Sequence, residues 1–242
     1  MRITFLGTGT CVHGTDSRAQ SSVLIEEESK ILVDCGSGTF MRLNQTGIHV
    51  NDIDAILLTH NHLDHNADLF TILKARWLEN GGRIGIYGPE GTAEFVEALH
   101  EAYAYLKKKI SYTVFEGEKF SVGGFKVDSI RTKHSITSRA YVISNNGKKV
   151  VISGDTSPVR EVLEVKCNLL VHELSLPFNS LTEDHTTPES LADMLKFCNA
   201  EKIYLTHVYP HAYIMISDIL DYLRRHSDLE IFVAADLESV EV

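Results

Sequence analysis

The sequence predicts an α/β protein in which two sheets pack face to face with helices on the outside. Two observations carry this expectation. Short runs rich in β-forming residues alternate with helical patterns in both halves of the chain. No Pro-rich linker, low-complexity tract or short-period repeat divides the 242 residues, so they read as one domain, residues 1–242. A layered αββα sandwich satisfies this order, although periodicity alone does not select it over other α/β folds.

Residues 2–6, 22–27 and 30–33 are short and rich in β-formers, and 55–58 is an apolar run of the kind found in a buried strand. From Asp64 onward the spacing of Leu69, Ile72, Leu73, Arg76 and Trp77 predicts a helix that stops at Gly81-Gly82. A strand at 84–87 and a helix at 91–107, opened by Pro89 and Gly91, follow. The second half repeats the theme. Strands are expected at 112–115, 125–132, 140–144 and 149–153, the last two flanking Asn145-Asn146-Gly147, a hairpin turn signal. Buried strands are expected at 169–172 and 202–205. Helices are expected at 158–165, 188–198 and 212–226, the first two with Pro near the first turn.

The composition, 43% hydrophobic and 23% charged, is that of an ordinary globular enzyme. The net charge of -10 argues against broad non-specific nucleic-acid binding, which needs a basic face to displace counterions. Cys11, Cys35, Cys167 and Cys198 form no C-x-x-C pair and read as free, mostly buried thiols. The N-terminus has no signal-peptide pattern and no stretch approaches a membrane span, so a cytoplasmic protein without a membrane partner is expected. Leu6-Gly7-Thr8-Gly9-Thr10 lacks the third glycine of a dinucleotide fingerprint and reads as a tight turn with close backbone packing. Lys107-Lys108-Lys109 reads as a solvated helix C-terminus.

The strongest chemical signal is Thr59-His60-Asn61-His62-Leu63-Asp64-His65, with four metal-competent side chains in six residues directly after a buried strand. In an extended segment His60 and His62 point to one side, while Asp64 and His65 begin the next helix and turn elsewhere. One short loop can thus feed two neighbouring metals. His134, Asp155, His185 and His207 sit at or near further strand ends, which converge in space along a sheet edge. Dinuclear hydrolysis needs about three protein ligands per metal and a shared water.

At this point the sequence resembles the metallo-β-lactamase superfamily, and within it the ribonuclease Z-like branch. The resemblance runs over nearly the whole chain. It rests on Leu6-Gly7-Thr8-Gly9-Thr10 with Arg18-Ala19-Gln20-Ser21-Ser22, on Asp34-Cys35-Gly36-Ser37-Gly38-Thr39, and on Thr59-His60 through His65. It continues in Tyr87-Gly88-Pro89-Glu90-Gly91, Ser153-Gly154-Asp155-Thr156 and His185-Thr186-Thr187. It implies the four-layer αββα sandwich. It also implies one metal on His60, His62 and His134, a second on Asp64, His65 and His207, and Asp155 as the bridge. Asp34 would orient the histidine loop. His185 would sit near the scissile phosphate with Glu173 as its acidic partner, so Asp64, His185 and Glu173 are the expected catalytic residues.

The chain also departs from that branch. The long basic arm that grips tRNA is absent, since only twenty residues separate His134 from Asp155 and they read as a hairpin. Ser37 replaces a Glu, Asp68 replaces a Gly that often follows the Asp-His pair, and Val208-Tyr209-Pro210 replaces a Ser and an Arg after His207. The expected function is therefore a dinuclear metal-dependent hydrolase, foremost a phosphodiesterase on a small or single-stranded nucleotide-like substrate. Metal-activated hydroxide, formed because the bound water has a pKa of about 7, would be the nucleophile. The alternatives are a lactonase, thioesterase or arylsulfatase, then tRNA 3′ processing, iron-based redox chemistry or a metal-free binding protein. The cofactors expected are two divalent ions, zinc first, with manganese or iron also compatible with such a donor set. The partner is a small or short anionic substrate, without a stable nucleic-acid complex. A homodimer is compatible with the sequence.

Overall fold

A computed structural model describes residues 1–14 and 18–242. Two seven-stranded mixed sheets form its centre. The first has the order β14-β1-β2-β3-β4-β5-β6 and the second β13-β12-β11-β10-β9-β8-β7. In the first sheet the strands are β1 (Arg2–Gly7), β2 (Ser22–Glu26), β3 (Lys30–Val33), β4 (Ala55–Leu57), β5 (Ile84–Gly88), β6 (Tyr112–Glu116) and the C-terminal β14 (Ser239–Glu241). In the second they are β7 (Lys119–Val122), β8 (Phe125–Arg131), β9 (Arg139–Asn145), β10 (Lys148–Ile152), β11 (Cys167–Glu173), β12 (Ala200–Thr206) and β13 (Glu230–Val233). The two sheets share one plan. β14-β1-β2-β3 are antiparallel and β3-β4-β5-β6 parallel. Likewise β7-β8-β9-β10 are antiparallel and β10-β11-β12-β13 parallel.

The central strands are apolar on both faces because both faces are covered. Alternate residues of β2 to β4 divide cleanly. Val23, Ile25, Ile31, Val33, Ala55 and Leu57 enter the core between the sheets. Leu24, Leu32 and Ile56 enter the core beneath helices α1 (Thr39–Thr46), α3 (Leu69–Leu78) and α4 (Thr92–Ala102). The outer face of the second sheet is covered by α5 (Arg160–Leu163), α6 (Pro188–Met194) and α8 (Ile216–His226), with Leu170, Ile203, Leu191 and Leu223 in that core. The order helix, sheet, sheet, helix is the αββα sandwich. No described helix is long and apolar enough to cross a membrane.

Several boundaries differ from the sequence expectation, each for a local reason. The helix expected from Asp64 is two, α2 (Leu63–Asn66) and α3, because the Asp68 amide leaves the ladder and donates to the Cys35 carbonyl at 2.9 Å. The helix expected over 91–107 ends at Ala102 and continues only as a 3-10 turn, so Lys107-Lys108-Lys109 lies beyond it, with Lys107 paired to Glu101 and Lys109 over Trp77. The helix expected over 158–165 shrinks to α5, and 188–198 is α6 followed by a 3-10 turn. That over 212–226 is α7 (Pro210–Tyr213) and α8, separated where the Met215 amide bonds Ala212 in a tighter turn. Strands β7, β13 and β14 and helix α1 were not expected. The three strands sit at sheet edges, where only one face needs apolar residues.

The hairpin at Asn145-Asn146-Gly147 forms as expected. Asn146 and Gly147 both take positive φ, 49° and 81°, the geometry of a type I′ turn. Gly7 packs as expected too, since a Cβ there would lie 1.9 Å from the Gln20 carbonyl oxygen. Among the cysteines, Cys35 and Cys167 are buried and Cys11 is exposed, all four free.

Candidate metal centre

Strand direction gathers the chemistry. β3 to β6 run parallel to one another, as do β8 and β10 to β12, so their C-terminal ends share one edge of each sheet. Asp34 follows β3, the histidine loop follows β4, His134 follows β8, Asp155 follows β10, Glu173 ends β11 and His207 follows β12. Two bonds between the halves set the histidine loop in place. Tyr141, buried between the sheets, donates its hydroxyl to the Leu58 carbonyl at 2.8 Å, and the Arg139 amide donates to the Thr59 carbonyl at 3.0 Å. Gly36 lets the β3 loop lie against the same segment, since a Cβ there would come within 2.1 Å of the Asp64 carbonyl oxygen.

The structure brings all seven expected ligands together. His60, His62, His134 and Asp155 offer ligand atoms within 4.8 Å of one another, and so do Asp64, His65 and His207. Asp155 reaches both groups. Its carboxylate lies 3.3 Å from His65 Nε2, 3.5 Å from His207 Nε2 and 3.8 Å from His60 Nε2. His62 presents Nδ1, 3.1 Å from His134 Nε2.

The surrounding hydrogen bonds assign which ring nitrogen is the lone pair in four of the five histidines. Thr59 donates its hydroxyl to Asp34 at 2.8 Å, so it accepts from His60 Nδ1 at 3.0 Å. His134 Nδ1 donates to the Asp184 carbonyl at 2.9 Å, and His65 Nδ1 to Asp34 at 2.7 Å. Ser175 donates to Glu173 at 2.5 Å and therefore accepts from His207 Nδ1 at 3.0 Å. Four Nε2 atoms are left as inward acceptors, and His65 Nε2 stands only 3.3 Å from His207 Nε2. Acceptors this close, with His60 Nε2 and Asp155 Oδ1 buried and without hydrogen-bond partners, fit cations between them.

The electrostatics agree. Burial, then the charge of His65, pushes the His60 pKa well below the ordinary imidazole value, which keeps its lone pair free. Burial also works against charge on His65, yet Asp155 and Asp34 outweigh it and hold the pKa of His65 well above the usual value. Burial opposes ionisation of Asp155, but His207 and His65 hold it far down in the ionised range. Asp64 is likewise lowered against its burial, to about 2, by its bond to His207 and by the charge of His65. A pocket that concentrates negative potential on its ligands attracts protons or metal ions, and with these donors it suits divalent cations.

His185 and Glu173 lie at the edge of this cluster. The His185 ring is 5.0 Å from that of His134 and 6.1 Å from that of His207, and its Nδ1 meets Glu173 Oε1 at 2.9 Å. Glu173 is buried and accepts four further bonds, from the Thr156, Ser175 and Thr186 amides and the Ser175 hydroxyl. It therefore ties the loop after β10 to both ends of the β11–α6 loop that carries His185. Burial works against charge on His185, but the bond and charge of Glu173 overcome it and raise the pKa to about 9. Tyr209, 6.0 Å from His185 and 5.8 Å from His207 between ring centres, stays a neutral phenol: burial, then the charge of Asp155, raises its pKa to about 12. Ser175 and the Asp184 carbonyl had no signal in the sequence. A serine and a main-chain oxygen declare themselves only once the fold aims them at a histidine.

Comparison with known proteins agrees with this architecture. Residues 15–207 match the sequence model of the metallo-beta-lactamase superfamily. A ribonuclease Z from Archaeoglobus fulgidus is 25% identical, covering 100% of this chain and 97% of its own length. That alignment spans 301 positions against 242 residues here, so the archaeal protein carries stretches with no counterpart in this chain. A ribonuclease Z from Mycobacterium bovis is 30% identical over 71% of this chain and 69% of its own length. Human tRNase Z, short form, superposes with a TM-score of 0.81 at 26% identity, covering 100% of this chain and 99% of the human one. The chain therefore belongs to the metallo-β-lactamase superfamily, in its ribonuclease Z-like branch, and is a metal-dependent hydrolase.

Proposed function

We propose that the chain, residues 1–242 as one catalytic unit, is a phosphodiesterase acting on a small or single-stranded nucleotide-like substrate in the cytoplasm. Two divalent ions, zinc first and manganese or iron next, would be held by His60, His62 and His134 and by Asp64, His65 and His207, with Asp155 shared. The observation that carries the reading is the His185–Glu173 pair beside the seven-ligand cluster. Hydrolysis of carbon esters needs no second charged imidazole there, whereas a phosphodiester presents anionic oxygens and an alkoxide leaving group.

Divalent cations held in such a site supply a nucleophile at neutral pH and screen the charge on the phosphoryl oxygens. The protein's own residues do the rest. Asp34, Ser175 and the Asp184 carbonyl hold the ligand rings in place through their Nδ1 atoms. Asp64, ionised at neutral pH, would orient the nucleophile by accepting its hydrogen bond, its proton having already passed to solvent. Glu173 keeps a proton on His185 Nδ1, which directs Nε2–H to a phosphoryl oxygen or to the departing alkoxide. The short β9–β10 hairpin, which stands where the resemblance to the ribonuclease Z-like branch implies a long arm, and the net charge of -10 support a short substrate rather than folded RNA.

The test is a substrate panel with zinc or manganese: bis-p-nitrophenyl phosphate, cyclic nucleotides, dinucleotides, lactones and aryl sulfates. The diesters should be turned over fastest. Preferential turnover of lactones or sulfates would remove the reading.

A further inference from the structure

Along the extended stretch from His60 to Leu63, side chains alternate between two sides. His60 and His62 enter the ligand cluster, while Asn61 and Leu63 line a separate cavity of about 420 Å³ between α3 and α4. Cavities of this size accommodate small organic ligands. Its walls are aromatic. Phe70 and Tyr103 lie 5.4 Å apart between ring centres, and Tyr105 completes the mouth. Tyr103 and Tyr105 are 45% and 54% exposed, so part of each ring is open to solvent, and Lys109 stands 5.7 Å from the Tyr105 ring centre. Lys74 stands at the edge with its ammonium 5.6 Å from the Tyr105 ring centre. Polar groups are few. Asn66 is buried and donates its amide nitrogen to the His62 carbonyl at 2.8 Å, which leaves its side-chain oxygen as an acceptor.

This combination selects among occupants. An aliphatic chain would use the apolar walls but leave the cation and the amide acceptor unmatched. A planar heteroaromatic ring stacks on tyrosine and phenylalanine, donates an exocyclic amino N–H to the asparagine oxygen, and brings an attached phosphate within the field of Lys74. The loop shared with the ligand cluster sets the connection between ring and phosphorus.

We propose that the α3–α4 cavity binds the heteroaromatic base of a nucleotide-like substrate, stacked against Tyr105, Tyr103 and Phe70, while the phosphodiester crosses the His62–Leu63 ridge to the His/Asp cluster. The proposal rests on the phosphodiesterase reading for its substrate class. The base subsite itself is open to measurement without turnover.

The experiment uses adenosine 5′-monophosphate and adenosine as probes, titrated by NMR or calorimetry into metal-stripped and zinc-loaded protein. Wild type should bind both, the monophosphate more tightly. Tyr105→Ala should weaken binding of both about tenfold, as expected for loss of one stacking face. Lys74→Ala should reduce the preference for the monophosphate. Ala67→Phe, which fills the cavity from its floor, gives the same loss by a different route, and thermal melts show that each variant is folded. Equal binding by wild type, Tyr105→Ala and Ala67→Phe would overturn the subsite. So would a homodimer that covers the cavity, seen as a dimer that Tyr105→Ala dissociates. Failure of the two readings is distinguishable. Diester hydrolysis with variant-insensitive probe binding removes only the subsite, and variant-sensitive binding without diester hydrolysis removes only the phosphodiesterase reading.

Discussion

Glu173 Oε1 lies 2.9 Å from His185 Nδ1, and the same carboxylate accepts four further hydrogen bonds from two loops. The glutamate cannot rotate away without freeing several buried donors, so the orientation of His185 is built into the frame of the second sheet. That relationship makes His185 a fixed donor and separates its duty from that of the ligand cluster.

His185→Ala should lower kcat on a diester by about 10²- to 10⁴-fold, the range for a lost acid–base group. KM should change much less, because the interaction forms mainly in the transition state. Metal content, read by elemental analysis, should be unchanged. Loss of metal would make His185 a ligand, and untouched hydrolysis would make it a bystander.

The pH behaviour of His185 follows from its raised pKa. The folded value, about 9, exceeds the ordinary imidazole value of about 6.5. The group therefore adds stability that is fully present below about pH 6.5 and is lost as pH rises through about 9. In protein stripped of metal, the His185 ring protons should titrate near 9 by NMR. Glu173→Gln should bring that midpoint down. A midpoint unmoved by Glu173→Gln would assign the charge to another neighbour.

Reconstituted protein should hold about two divalent ions per chain, because the seven ligands form two groups joined by one carboxylate. Asp155→Ala should empty at least one site and abolish hydrolysis. Less than half an ion per chain in reconstituted wild type would contradict the dinuclear assignment.

Arg76 provides a stability test away from the site. It is buried, and its guanidinium donates to the Val50, Ile53 and Gly82 carbonyls at 2.5, 3.0 and 3.3 Å, tying α3 to the segments that lead into β4 and β5. Arg76→Met keeps the aliphatic stem and leaves those acceptors unpaired. It should cost about 2–5 kcal/mol and lower Tm by roughly 5–15 °C, with metal content retained. A melt within 2 °C of wild type, roughly the smallest shift 1 kcal/mol produces, would show that water replaces the guanidinium.

A precursor tRNA should be cleaved far more slowly than a dinucleotide. The β9–β10 hairpin offers no long docking arm, and the acidic chain gains little from counterion release. Efficient cleavage at a single position would require a docking surface elsewhere.

The histidine loop was legible because its chemistry is local. His60, His62, Asp64 and His65 lie within six residues after an apolar strand, and extended alternation followed by a helical turn directs them two ways. The central strands were legible because burial on both faces demands continuous apolar runs. The edge strands β7, β13 and β14 were not, since pairing on one side and partial exposure leave little pattern to read. Nor was the break between α2 and α3, because the Asp68 amide is diverted by Cys35, a residue thirty-three positions earlier.

By itself the sequence determined which side chains were available for metals, the alternation that aims His60 and His62 together, and the doubly buried strands that demand a layered fold. Those are consequences of backbone geometry over a few residues. Tertiary structure alone decided which nitrogen each histidine turns inward, because that depends on Ser175, Asp34 and the Asp184 carbonyl arriving from distant segments. It also decided that Glu173 anchors two loops and that Asn61 and Leu63 face a cavity between α3 and α4. Each depends on where strands of two sheets end relative to one another, a distance set by core packing and by the Tyr141–Leu58 bond between the sheets rather than by neighbours along the chain.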